Sequence, residues 1–174
     1  MKRMIFSGLA AFAMMGVSVP AQAQLMSDMA PYTEISLDSV NRALAPGNIV
    51  AQNSTINNGT AVIQFVYDGV VMNIEPRECD RAGRGCQAGV IRAFFDVPPG
   101  TDVSKLVGAV DQFNRANAFL KASVVGQNRV LVTRYHAVHF GVHYGTVRRE
   151  YANFAQSFNL LLQQYVSPVV PIGQ

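Results

Sequence analysis

Cys79 and Cys86 are the only cysteines of the chain, and the six residues Asp80-Arg81-Ala82-Gly83-Arg84-Gly85 lie between them. That spacing matches neither Cys-x-x-Cys redox chemistry nor an ordinary zinc knuckle. In an oxidising compartment two such thiols form a disulfide, and closing so short a loop restricts the unfolded chain by roughly 2 to 3 kcal/mol. A structural disulfide is therefore expected, in preference to a redox or metal-binding pair. His136, His139 and His143 are the only histidines and fall within eight residues. Imidazoles are common zinc and copper ligands. On a strand, however, His136 and His139 point to opposite faces, and Gly141 and Gly145 work against the helix that would stack His139 on His143. With no carboxylate or thiol obvious as a further ligand, surface or loop histidines are the expectation, and neither a metal nor another cofactor is assigned.

The remaining polar groups point the same way. Glu75, Glu78 and Asp80 form the only acidic cluster, interleaved with Arg77, Arg81 and Arg84; they read as solvated ion pairs of little energetic weight, not as a general acid and base. Asn114 and Arg115 stand at the end of a predicted helix, where a short polar side chain satisfies backbone groups. Ser157 has no Gly-x-Ser-x-Gly elbow around it, and no phosphate-cradling glycine loop occurs. No catalytic residue is assigned, and the chain is expected not to be an enzyme.

The chain that must position these groups begins with Met1-Lys2-Arg3, then an uncharged apolar run from Ile5 to Val19, then Ala21-Gln22-Ala23 after Pro20. This is the pattern of a secretory signal peptide, residues 1–23, cleaved after Ala23; the run is shorter than the roughly 20 residues a membrane span needs. Export to the periplasm or beyond is implied, with no membrane attachment after cleavage. Loss of Lys2 and Arg3 takes the basic count from 14 to 12 against 11 acidic residues, so the net charge drops from +3 to +1. There is no basic stripe, and nucleic acid is not expected as a partner. A mature chain of about 150 residues fits one domain with a full core.

Residues 24–35 have no clear period and read as a flexible leader. Ser36 is a candidate N-cap for a short helix carrying Leu37, Val40, Asn41 and Leu44 on one side and ending at Pro46-Gly47. Ile49 to Ile56 can form a strand, followed by the Asn57-Asn58-Gly59 turn. Thr60 to Tyr67 and Val70 to Glu75 flank Asp68-Gly69, the dipeptide of a type I′ hairpin, and Ala88 to Val97 closes a three-stranded meander. Glu75 to Gln87 reads as a polar tip. Val103, Leu106, Val107, Val110 and Phe113 then recur at helical spacing up to Asn117, with Asp102 or Thr101 as cap. Ala118 to Val125 and Val130 to Val138 form a hairpin around Gly126-Gln127-Asn128-Arg129. Thr146 is a candidate cap for a helix running from Val147 to Val166, and residues 167–174 form a flexible tail behind Pro168.

The element order is helix, three strands, helix, two strands, helix. That order specifies an α+β domain over residues 36–166, with an antiparallel sheet of about five strands and helices burying their apolar stripes against it. The last helix carries an apolar arc broader than a single stripe. Such an arc either covers a large sheet or continues into a partner surface. Core packing is the plainer expectation, and Phe154, Phe158, Leu161 and Tyr165 are the residues that a dimer or client interface would use.

The stretch from Phe113-Asn114-Arg115 through Ala122, then Arg129-Val130-Leu131-Val132, then Gly141 to Tyr151 opening the closing helix, resembles the YbjN domain family, over roughly Ser36 to Tyr165. The family carries the label of a sensory transduction regulator. The resemblance implies a fold similar to the type III secretion chaperones, with helices on one face of a curved antiparallel sheet, and it brings no catalytic residues. Many members look cytoplasmic with a more acidic loop before the last helix; here an export signal and His139-Phe140-Gly141-Val142-His143 stand instead. Fold does not fix function. The sequence-based expectation is an exported, non-enzymatic module acting through protein contacts, with another protein or a second copy as partner; the alternative is a periplasmic protein that binds a small ligand or metal.

Overall fold

The computed structural model describes residues 26–56, 59–126, 128–138 and 141–170. The expected signal peptide and its expected cleavage site, Asn57 and Asn58 of the expected turn, Gln127, His139 and Phe140 lie outside the described residues. Helix α1 (Leu37–Leu44) starts where Ser36 places its hydroxyl on the Ser39 amide while the Ser39 hydroxyl accepts from the Ser36 amide, a reciprocal cap. Strands β1 (Gln52–Ile56), β2 (Thr60–Tyr67), β3 (Val70–Arg77) and β4 (Ala88–Asp96) follow, then α2 (Val103–Ala116), β5 (Lys121–Val125), β6 (Arg129–Ala137) and α3 (Tyr144–Leu160), which continues as a π-helical stretch, Leu161–Val166. Asp102 caps α2 by accepting from the Ser104 and Lys105 amides.

The strands form a single six-stranded sheet in the order β1-β2-β3-β4-β6-β5, antiparallel throughout. The α+β reading holds, with one strand more than the expected five: β1 joins the outer edge of the meander. Asp68 and Gly69 both take positive φ, 49° and 77°, as a type I′ turn requires. Alternation along the strands separates two faces. Phe65, Met72, Ile74, Ile91, Ala93, Val130 and Val132 lie beneath the helices and are almost fully buried. The register puts Gln64, Asn73, Arg92, Thr133 and Lys121 in one row across the opposite face. Among the described residues no helix covers that face.

Several boundaries differ from the sequence reading. The buried side of α2 is Leu106, Ala109, Val110 and Phe113, whereas Val103 and Val107 are about two-fifths exposed; the helix meets β5 and the Leu161–Val166 stretch with a narrower face than its apolar content suggests. Helix α3 begins at Tyr144 with His143 as N-cap, not at Thr146. Glu75 is not part of a solvated tip. It continues the alternation of β3 and is buried.

The leader is the largest correction. Tyr32 and Ile35 are buried in the same core as the helices. The Tyr32 amide donates to the Val142 carbonyl at 2.6 Å, and the Ile35 amide to the Cys86 carbonyl at 2.7 Å. Pro31 pairs with His143, and Arg148 grips Asp28 with two hydrogen bonds of 2.8 and 2.5 Å. A segment without period docks because its contacts are single anchors and not a repeating face. Of the expected tail, Val169 and Val170 pack partly against the core, and residues 171–174 lie outside the described part.

Candidate functional site

Cys79 and Cys86 are bonded, with an S–S distance of 2.05 Å. The loop they close is organised by Asp80, whose carboxylate accepts from the Ala82 and Arg84 amides at 2.8 Å each. Through the Cys86 carbonyl the same loop holds Ile35 and so the leader. It also lines a groove of about 460 Å³ together with Leu37, Ile63 and Pro76. The expected pairing of the two cysteines is present, and it closes the connection between β3 and β4.

The three histidines part company. His143 is exposed at the start of α3, and His136 is buried on the helix side of β6. The reading of His136 as a surface or loop residue is corrected, and so is the statement that no carboxylate is near: its Nδ1 lies against Glu150 Oε2, while Glu150 Oε1 accepts from Arg134 at 2.7 Å. Arg134 also donates to the Phe119 carbonyl at 3.0 Å and stacks on the Phe119 ring. Tyr32 and Tyr151 flank the imidazole at 6.0 and 6.1 Å. Burial pushes the Glu150 carboxyl up, but hydrogen bonds and charge from His136 and Arg134 outweigh it and leave it below the ordinary glutamate value. Burial raises the Tyr151 hydroxyl well above its usual range and raises Tyr32 as well. His136 is 2% exposed and its two tyrosine neighbours are buried with it, while Arg134 and Glu150 keep about a fifth of their side-chain surface exposed, so the arrangement ties β6 to α3 at the margin of the core. Among the described residues no three His, Cys, Asp or Glu side chains converge on a common point.

Glu150 was legible in principle. Its place three residues after Val147 and four before Phe154 sets a charge on the buried stripe of α3, and such a charge needs a partner. Glu75 pairs in turn with Arg77 and Arg92 across β3 and β4. Gln64 donates to Asn73 at 2.9 Å beside it, which makes a polar centre on the uncovered sheet face.

The residues offered as an interface turn out to be core. Phe154, Phe158 and Leu161 are buried, Phe158 packing edge-on to Phe95 at 5.6 Å, and Tyr165 is half-buried against Phe113 at 5.6 Å. The physical reason is that the arc is shared between two neighbours: Phe158 meets Phe95 of β4, and Tyr165 meets Phe113 of α2. Of the arc, only Leu160 counts among the exposed large apolar residues. Phe113-Asn114-Arg115 behaves as backbone chemistry. Phe113 is buried, and the Asn114 side-chain amide both accepts from the Ala122 amide and donates to its carbonyl, at 2.8 Å each.

Exposed apolar side chains collect on the uncovered face. Val66, Val71, Phe94 and Tyr135 are 53, 49, 42 and 55% exposed. Arg129 lies over the Phe94 ring and forms a double hydrogen bond to Asp96 at 2.6 and 2.9 Å, and Tyr135 donates to Glu78. The sequence alone does not reveal this face, because each of these residues alternates with a buried neighbour and looks like ordinary strand.

The arrangement is thus a YbjN-like α+β fold: helices on one side of an antiparallel sheet, the other side open. A solved structure with this fold is that of YbjN from E. coli, a protein put forward as a transcription regulator; it superposes with a TM-score of 0.56 at 14% identity, over 80% of this chain and 97% of that one. No family model matches the sequence, and no curated protein matches it either.

Proposed function

We propose that this protein is exported, has no catalytic activity and works through protein contacts as a chaperone-like or regulatory module. The observation that carries the reading is the uncovered sheet face, where Val66, Val71, Phe94 and Tyr135 surround a polar centre of Gln64, Asn73, Glu75 and Arg92. An apolar rim around a polar centre has the composition of a contact surface. Export is supported by the basic start, apolar run and Ala21-Gln22-Ala23 site, and by a cysteine pair at bonding distance.

A photo-crosslinking residue at Val71, introduced in the native host, tests it. The expected result is a discrete adduct that disappears when Phe94 is changed to Asp and persists when the leader residue Met29 is changed. Adducts indifferent to Phe94→Asp, or none, defeat the reading. N-terminal sequencing of the exported form is expected to begin at Gln24. Native mass spectrometry of the same preparation discriminates the alternative, since a retained small molecule or metal speaks for ligand binding.

A further inference from the structure

A sheet with two free edges presents unpaired backbone groups at both, and folded proteins shield them with charge, proline, bulges or a covering group. The two edges here are treated differently. At β5 the Asn114 side chain occupies both backbone groups of Ala122, and the strand opens with Lys121. Near β1 the same device appears one residue too early: Asn41 accepts from the Ala51 amide at 2.7 Å and donates to its carbonyl at 3.3 Å, just before the strand begins. Gln52-Asn53-Ser54-Thr55-Ile56 itself contains no charged residue, no proline and no glycine. Its described pairing is to β2 alone, and among the described residues no side chain reaches its outer backbone.

We propose that the free edge of β1 is a self-association site, at which two copies pair β1 to β1, antiparallel about a two-fold axis at Ser54, to form one continuous sheet. Self-pairing suits this strand. About that axis Asn53 stands opposite Thr55, and Gln52 opposite Ile56, so an amide meets a hydroxyl and no like charges face each other. A charged strand from an unrelated protein finds no counter-charge on β1. Asn53 is also one of the residues that line the 460 Å³ groove, with Leu37, Ala61 and Ile63. The cross-strand position of the partner's Thr55 falls beside it, which gives that methyl group apolar surface to cover. Asn41 limits the pairing to the five residues of β1, so the association is small in area and concentration-dependent.

Sedimentation velocity of the purified protein, from about 5 µM to about 1 mM, spans the range in which so small an interface assembles. The expected result is a mass rising from monomer towards dimer, with Ser54→Lys weakening the dimer by about tenfold or more because two cations meet on the axis. An equimolar mixture of Ser54→Lys and Ser54→Glu is expected to restore it. Thermal unfolding confirms that each variant is folded, and Val71→Asp, on the uncovered face, is expected to dimerise like the parent. A monomer at the highest concentration, or a dimer indifferent to Ser54→Lys, overturns the proposal. The contact reading is separate: crosslinks at Val71 from a protein that stays monomeric end the self-association and leave that reading standing.

Discussion

Replacing Tyr32 by Ala tests whether the leader belongs to the folded unit. The ring is fully buried, packs edge-on against Tyr144 at 5.1 Å and lies 6.0 Å from His136. A buried aromatic side chain removes about 150–250 Å² from water, and truncation of such a ring to Ala costs about 3–5 kcal/mol, cavity included. The hydroxyl contributes little, since its contact with the Tyr151 hydroxyl is 3.5 Å long. Tyr32→Phe is accordingly expected to cost under about 1 kcal/mol. Urea unfolding separates the cases. With a slope of about 2 kcal/mol per molar urea, Tyr32→Ala lowers the midpoint by about 2 M while Tyr32→Phe barely moves it. A loss below about 1 kcal/mol for Tyr32→Ala, at unchanged slope, refutes the docking and returns residues 26–35 to a mobile leader.

Gly89 tolerates no side chain: an added Cβ would stand 2.9 Å from Ile35 Cδ1, 3.1 Å from Ile74 Cγ2 and 3.2 Å from the Glu75 carbonyl. Gly89→Ala is expected to cost about 1–3 kcal/mol in chemical unfolding, relieved in part by Ile35→Val. Asn114→Ala removes both clamps on Ala122 and is expected to cost about 1–2 kcal/mol and to make the β5 edge prone to aggregation, read by light scattering on heating. Reduction of Cys79–Cys86, whose ends are 7 positions apart in sequence, is expected to cost about 2–3 kcal/mol, read as a lower thermal midpoint in reductant. The hydrogen bond from Arg148 holds Asp28 below its ordinary value, and Glu150 is also held low by His136 and Arg134 against burial. A depressed folded-state pKa contributes stability that is complete above the unfolded value and is lost as pH falls through the folded one. The contribution of these two carboxylates is therefore expected to be complete above about pH 5 and to be lost below about pH 4, so that the acid limb is less steep in Asp28→Asn and Glu150→Gln.

What could be read from the chain was whatever repeats. The stripe of α3, the alternation of β2 to β4 and the Asp68-Gly69 turn each follow from a period or a local backbone preference, and each stands where the spacing places it. What could not be read was contact between distant single residues. Tyr32 meets Tyr151 across 119 positions, and Asp28 meets Arg148 across 120; no local signal marks either one. The misplaced interface has the same origin. Phe154, Phe158, Leu161 and Tyr165 were recognisable as apolar, but whether an apolar arc faces a core or a partner depends on what lies beneath it. Here Phe95 of β4 and Phe113 of α2 lie against Phe158 and Tyr165, contacts across tens of positions that no spacing marks.

The helix-to-strand reversals show how a non-local contact becomes partly local. Asn41 lies near the end of α1 and binds the backbone of Ala51, ten positions on; Asn114 lies near the end of α2 and binds Ala122, eight positions on. In both places a helix gives way to an outer strand of the sheet, and in both the asparagine presents an acceptor and a donor to one residue, as a neighbouring strand would. An asparagine is suited to this because its amide mimics a peptide group, whereas aspartate supplies only acceptors. The expected consequence is an asymmetry between substitutions: Asn114→Asp should lose the bond to the Ala122 carbonyl and place a charge at the edge, and so destabilise at least as much as Asn114→Ala despite its closer shape. Equal stability of Asn114→Asp and the parent protein would show that the amide donor does nothing there, and the clamp would reduce to a single hydrogen bond.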